Sequence, residues 1–148
     1  MSSAAMTTVY VPCDSSALSL GAEAVADAIA AEAARRKLSL KLIRNGSRGL
    51  YWLEPMVEVA TPRGRVAYGP VAAADVPALF DAGFLDGGQH RLALGLTDDI
   101  PLLKRQSRLT FARVGVTDPV SLDDYRAHGG YRGLSRALAM SGAAIVEE

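Results

Sequence analysis

One thiol, two imidazoles and a glycine-rich loop flanked by arginines are the evident sources of chemistry in this chain. Cys13 is the single cysteine, which excludes an intrachain disulfide and a thiolate-based zinc site. It stands between a strand-like run and a helical one, where a helix N-terminus can lower a thiol pKa. No C-x-x-C partner and no identifiable base accompany it, so a buried or incidental thiol is the plainer expectation. His90 and His128 lie far apart with no helical or strand relation, and a protein-made metal site is not expected from them. The loop Asn45-Gly46-Ser47-Arg48-Gly49, preceded by Arg44, offers amides, a hydroxyl and two guanidinium groups that could hold an anion. It lacks P-loop spacing and runs toward Pro55 instead of into a helix, so Arg44 and Arg48 are better read as partners of carboxylates. Leu50, Tyr51 and Trp52 then form an apolar tip, suited equally to core cover or to a partner contact. Asp98-Asp99 and Asp123-Asp124 sit where helices begin. These residues assign no catalytic, cofactor-binding or metal-ligating role.

The elements that would position these residues follow from periodicity. Thr7–Pro12 alternates and is β-branched, which predicts a strand. Residues 17–37 predict a helix whose Ala22, Val25, Ala26, Ile29 and Ala33 share a buried face, with Glu23, Asp27 and a Glu32/Arg36 pair on a solvated one. Residues 38–43 predict a second strand. Residues 56–60 and 65–68, joined through Thr61-Pro62-Arg63-Gly64, predict a hairpin. Residues 75–82 predict a short helix, with Pro77 tolerable in its first turn.

The order β-α-β-β-β-α implies a parallel first pair with antiparallel strands added beside it. The expected fold is α+β: a mixed four-stranded sheet with helices on both faces, the thioredoxin-like arrangement, over residues 7–82. Residues 83–117 read as a linker wrapping the body, with a short helix near residues 100–106. Residues 118–148 read as a helical tail. Ser121 caps its first helix, Gly129-Gly130 stops it, and Ser141 caps the last. Glu147-Glu148 fall at the negative end of that last helix, without a stop signal, so the chain is expected to continue in nature.

Composition narrows the function. The chain has 148 residues, 49% of them hydrophobic, enough to bury a core. Its formal net charge is +0, which argues against nucleic acid or an anionic membrane as main partner. No apolar run is long enough to span a bilayer and no targeting segment is evident, so a cytoplasmic protein is expected.

The stretch RNGSRGLYWLEPMVEVATPRGRVAYGPV resembles the second half of the thioredoxin-like [2Fe–2S] ferredoxin domains of bacterial NADH dehydrogenase and hydrogenase complexes. In that family two cysteines here ligate one iron; Ser47 and Tyr51 occupy those positions in this chain. The family's other cysteine pair lies in the region of Cys13, where no second thiol follows. Four thiolates, or nitrogen ligands in their place, are needed to hold such a cluster, so the resemblance implies a degenerate, cluster-free copy. VYVPCDSSALSLGAEAVADAI, NGSRGLYWLEP, AYGPVAAADVPALFDAG and RLTFARVGVTDPVSLDDYRAHGGYRGLSRALAM resemble the amino-terminal domain of the β (diaphorase) subunit of soluble NAD-dependent molybdenum formate dehydrogenase. That subunit is related to the NADH-binding flavoprotein subunit of complex I.

The resemblance implies a non-catalytic structural or assembly domain, with residues 118–148 as the truncated start of the flavoprotein domain. This chain alone would not be an enzyme, while the parent subunit would pass electrons from formate oxidation to NAD. FMN, NAD and a [4Fe–4S] cluster would belong to the full-length subunit and none to this chain. Other formate dehydrogenase subunits are the expected partners, with self-association through residues 118–148 also open. Arg44, Arg48 and Trp52 are the candidate anion or partner contacts. A regulatory small-ligand binder using the Gly46–Gly49 loop, or a thiol or cluster redox domain working through Cys13, are the alternatives. The apolar groups of the tail are expected to pack on another chain.

Overall fold

The computed structural model describes residues 6–148. Strand β1 (Thr7–Pro12) pairs in parallel with β2 (Leu40–Asn45) and antiparallel with β3 (Val57–Thr61). β4 (Gly64–Tyr68) closes the predicted hairpin with β3. A fifth strand, β5 (Ala93–Leu96), completes the order β2-β1-β3-β4-β5. Among the described residues the sheet therefore has five strands, where four were expected, and the added edge comes from the stretch read as a linker. Ala and Gly are poor strand formers, and the pairing of β4 with β5 is irregular at Ala67/Tyr68, so Ala93-Leu94-Gly95-Leu96 gave little strand signal.

The expected helix over residues 17–37 is two helices: α1 (Ser15–Ser19) and α2 (Ala22–Arg35). Gly21 breaks the run at φ 96°, a left-handed conformation that glycine adopts without a Cβ penalty. Asp14 starts α1 by accepting from the Ser16 and Ala17 amides. Ala22, Val25, Ala26, Ile29 and Ala33 are buried, as their spacing requires. The Glu32/Arg36 pair forms at 2.6 Å, but Glu32 is buried instead of solvated, and Arg36 also reaches Asp81 at 2.6 Å. That bridge ties α2 to α3 (Val76–Asp81).

Because alternate strand residues face opposite ways, the sheet has two unlike faces. One face presents Val9, Val11, Val57, Val59, Val66 and Tyr68 to α2 and α3. Phe84 packs edge-on against Tyr68 and Phe80 within the same core. The other face presents Met56 and Ala67, which pack with Leu50 and Ile100 in a smaller cluster. The short helix α4 (Pro101–Lys104) covers this side through Leu103. Tyr10, Glu58 and Arg65 share this second face by alternation, which makes it partly polar.

Helices α5 (Leu122–Ala127), α6 (Arg132–Leu138) and α7 (Gly142–Glu147) follow, with Ser121 and Ser141 as side-chain caps at the anticipated places. None of the three contributes a buried residue, and Val120, Leu138 and Val146 are exposed.

Helix α2 ends in a Schellman arrangement: Leu38 N–H reaches Ala33 O at 2.9 Å and Lys37 N–H reaches Ala34 O at 3.0 Å. Lys37 holds the left-handed position at φ 57°, where glycine is the unstrained choice. Lys37→Gly is expected to raise stability by about 0.5–1 kcal/mol, the relief of the Cβ clash less the extra chain entropy of glycine. Urea midpoints followed by circular dichroism check this; an unchanged or lowered midpoint would show that the lysine position carries no strain.

Candidate functional site

The parallel pair β1 and β2 delivers Cys13 and Asn45 to the same end of the sheet. Cys13 N–H donates to Asn45 O at 2.8 Å, and its Sγ lies 3.6 Å from Arg44 O. Burial pushes the thiol pKa up, only partly opposed by the Arg44 charge, which is the opposite of the shift that activates a thiol.

Asp14 joins the two loops at this end. Besides capping α1, its Oδ2 accepts the Ser47 N–H at 2.7 Å. Ser47 Oγ in turn donates to Glu54 Oε1 at 2.6 Å and accepts the Gly49 N–H at 3.0 Å. Met56 N–H donates to Glu54 Oε2 at 2.8 Å. Burial raises the Asp14 pKa, but hydrogen bonds from Ser16, Ser47 and Ala17 outweigh it and hold the carboxyl below its ordinary value. For Glu54 the balance is opposite. Burial pushes the carboxyl up, and the bonds from Ser47 and Met56 do not overcome it.

Beneath this relay lies a buried ion cluster. Arg48 donates to both Glu58 oxygens, at 2.6 and 2.8 Å, in a two-pronged pair. Arg65 lies 3.5 Å from Glu58 Oε2, and Thr97 Oγ1 reaches the same oxygen at 3.3 Å. Arg65 also stacks over the Tyr10 ring at 3.5 Å and donates to Gly115 O and Val116 O at 2.8 and 2.9 Å. Asn45 donates to Gly115 O as well, at 2.8 Å. A Cβ at Gly115 would stand 2.4 Å from Arg48 Cγ, so this crossing of chain over guanidinium stem needs glycine.

The residues singled out by sequence separate accordingly. Cys13 and Ser47 belong to adjoining loops bridged by Asp14. Tyr51 and Trp52 follow in a short turn and are 60% and 63% exposed. Arg44 pairs with Glu23 at 2.8 Å, and Arg48 is committed to Glu58, so the anion reading of this loop loses both its cations. His90 accepts from Leu92 N–H, and His128 sits against Asp124. Among the described residues no grouping of three or more His, Cys, Asp or Glu could hold a metal ion. A [2Fe–2S] cluster needs four thiolates or nitrogens, and the donor set at this end, one thiol with hydroxyls and carboxylates, does not fit it.

Glu54 and Glu58 are the residues that sequence reading missed. The signal for Glu58 was present: an acid inside the apolar alternation MVEVA must either face water or meet a buried cation. An open cleft of about 680 Å³ lies beside the cluster, between residues 47–51 and residues 106–114.

No family model matches the chain, and no curated protein matches it. Solved structures do. The thioredoxin-like [2Fe-2S] ferredoxin from Aquifex aeolicus matches at 20% identity with a TM-score of 0.51, covering 62% of this chain and 99% of the ferredoxin. Two cysteine-to-serine variants of that ferredoxin match at 20% and 22% identity with TM-scores of 0.52 and 0.51, each covering 61% of this chain and 99% of the other. The chain therefore has the thioredoxin-like ferredoxin fold. Nearly the whole ferredoxin is contained in under two thirds of it.

Glu58→Gln is expected to cost about 3–5 kcal/mol, because it removes one partner of a buried pair and leaves Arg48 charged without its carboxylate. Denaturant unfolding measures this, and a loss below about 1 kcal/mol would show that the pair contributes little. Glu54→Gln tests the other carboxyl. A raised folded pKa means that wild-type stability falls as pH rises from the unfolded carboxyl value, about 4.3, through the folded one. The Gln variant should therefore lack that decline and match or exceed wild type at neutral pH, with the gain vanishing in acid. A variant that is less stable at neutral pH would show that the carboxylate's hydrogen bonds outweigh its burial.

Proposed function

We propose that this chain is a cluster-free structural and assembly module of an electron-transfer complex. The finer reading is the amino-terminal domain of the NADH-oxidising subunit of a cytoplasmic NAD-dependent formate dehydrogenase. One observation carries it: a ferredoxin fold whose loop end holds a single thiol. The two loops are tied by the Asp14–Ser47–Glu54 hydrogen bonds. The stretches resembling the formate dehydrogenase subunit support the finer assignment. On this reading residues 118–148 open the flavoprotein domain. FMN, NAD and the [4Fe–4S] cluster belong to the rest of that subunit, and catalysis belongs to it as well. The exposed apolar side chains of α5–α7 are then surface awaiting the parent domain, a partner subunit or a second copy.

Neither alternative gains support. A regulatory anion site would use Arg44 and Arg48, both engaged by carboxylates. A thiol redox site would need an activated Cys13, and burial works against that.

The full chain, purified without oxygen and also after incubation with ferrous iron and sulfide, should remain colourless and free of stoichiometric iron. A visible charge-transfer band with bound iron in either preparation would overturn the cluster-free reading. Deleting this domain from the full-length subunit should leave flavin-dependent NADH oxidation by an artificial acceptor intact and abolish co-elution with partner subunits. Unimpaired co-elution would overturn the assembly role.

A further inference from the structure

The cleft beside the ion cluster is bordered by side chains that a soluble surface does not ordinarily present together. Leu109 is 92% exposed and Phe111 65%, and Tyr51 faces the same opening from the loop opposite, with exposed Trp52 next to it in the chain. Between residues 100 and 117 the sequence carries Lys104, Arg105, Arg108 and Arg113 and no carboxylate, in a chain whose net charge is +0. Lys104 is neutralised by Asp99 at 2.9 Å. Arg105 and Arg108 bond only to the neutral acceptors Pro101 O, Gln106 and Arg48 O, and Arg113 has no carboxylate partner among the described residues.

The segment is nonetheless fixed. Arg108 donates to Arg48 O at 2.8 Å, and Gly115 O is held by Asn45 and Arg65. Its apolar side chains are thus displayed by an anchored backbone. Anchoring reduces the ordering cost of binding.

We infer that this cleft is a docking surface for an acidic, apolar segment of a partner protein. Aromatic and arginine side chains around an apolar centre are what protein interfaces concentrate. Uncompensated positive charge selects a partner with carboxylates flanking its apolar groups. The aliphatic Leu109 and Val114 at the cleft, together with zero net charge over the chain, favour a protein segment over a nucleic acid. The inference deepens the assembly reading by naming the surface through which it would act, and it rests on that reading for its biological setting.

The test is selection of random short peptides displayed on phage against the immobilised full chain. Enriched peptides are then measured in solution by fluorescence anisotropy. Asp and Glu should be enriched beside Leu, Phe or Trp. Leu109→Ser/Phe111→Ser should bind an enriched peptide about tenfold more weakly, with an unchanged circular dichroism spectrum because both positions are exposed. Arg105→Glu/Arg113→Glu should turn the selected peptides from acidic to basic. Absence of acidic enrichment, or a selected set that charge reversal leaves unchanged, overturns the proposal. A single-stranded oligonucleotide binding the same residues more tightly than any peptide makes the surface a nucleic-acid track and overturns it too. A concentration-dependent dimer dissolved by the same variants makes a second copy the occupant and likewise overturns it. A chain that binds stoichiometric iron yet still selects acidic peptides fails only the cluster-free reading. A colourless chain that selects none fails only the docking surface.

Discussion

A carboxylate placed in the middle of a sheet has to be answered by cations, and much of this molecule is arranged around that answer. Glu58 sits on central strand β3 and is 1% exposed. Its two oxygens take Arg48 from the β2–β3 loop, while Arg65 of β4 and Thr97 approach from the side. Arg65 then holds the carbonyls of Gly115 and Val116, so a segment some fifty residues away in sequence is bound to the same charge. Loop, hairpin and overlying segment are thereby brought into one register. Such a cluster is weak evidence of extra stability, since desolvation of the ions offsets their attraction. What it does here is link: one carboxylate and its cations join the β2–β3 loop, the β3–β4 hairpin and the segment at Gly115 and Val116.

That polar face explains what could and could not be read from the sequence. The apolar face was legible: Val9, Val11, Val25, Ile29, Val57 and Val59 announce themselves by alternation or helical spacing, and all are buried. Local hydrogen-bond chemistry was legible too, in the Ser121 and Ser141 caps and the Thr61-Gly64 turn. What stayed hidden depends on tertiary partners. Strand β5 is short, Ala- and Gly-containing, and exists because β4 offers it an edge. Residues 17–37 read as one helix because good helix formers flank Gly21, Leu20 before it and Ala22 after it, and only the left-handed conformation there divides it. Arg44 and Arg48 look alike in the sequence, yet one lies toward the surface with Glu23 and the other is buried against Glu58. Spacing along a chain does not say which carboxylate a guanidinium will meet across it.

The loop end is held together by carboxyls. Asp14 accepts an amide from the opposite loop, and Glu54 accepts a hydroxyl and an amide within its own. The two carboxyls differ in character. Asp14 is stabilised as an anion by converging donors, while Glu54 is buried beyond what its donors repay. Glu54, its pKa raised by burial, thus sits in the chain as a hydrogen-bonded support for Ser47 and Met56.

Trp52 gives the molecule an optical peculiarity. It is the single tryptophan, and it stands 63% exposed next to Tyr51 of the cleft and is a member of neither hydrophobic cluster. Its indole is already largely in water when the chain is folded, so its emission changes little when the core melts and much when something covers that loop. Conventional fluorescence unfolding curves would register the surroundings of one loop, while the collapse of the sheet would be visible through Tyr68, which is fully buried between Phe84 and the strands. The two probes would follow one cooperative transition with very different amplitudes, because the indole is already exposed in the folded chain.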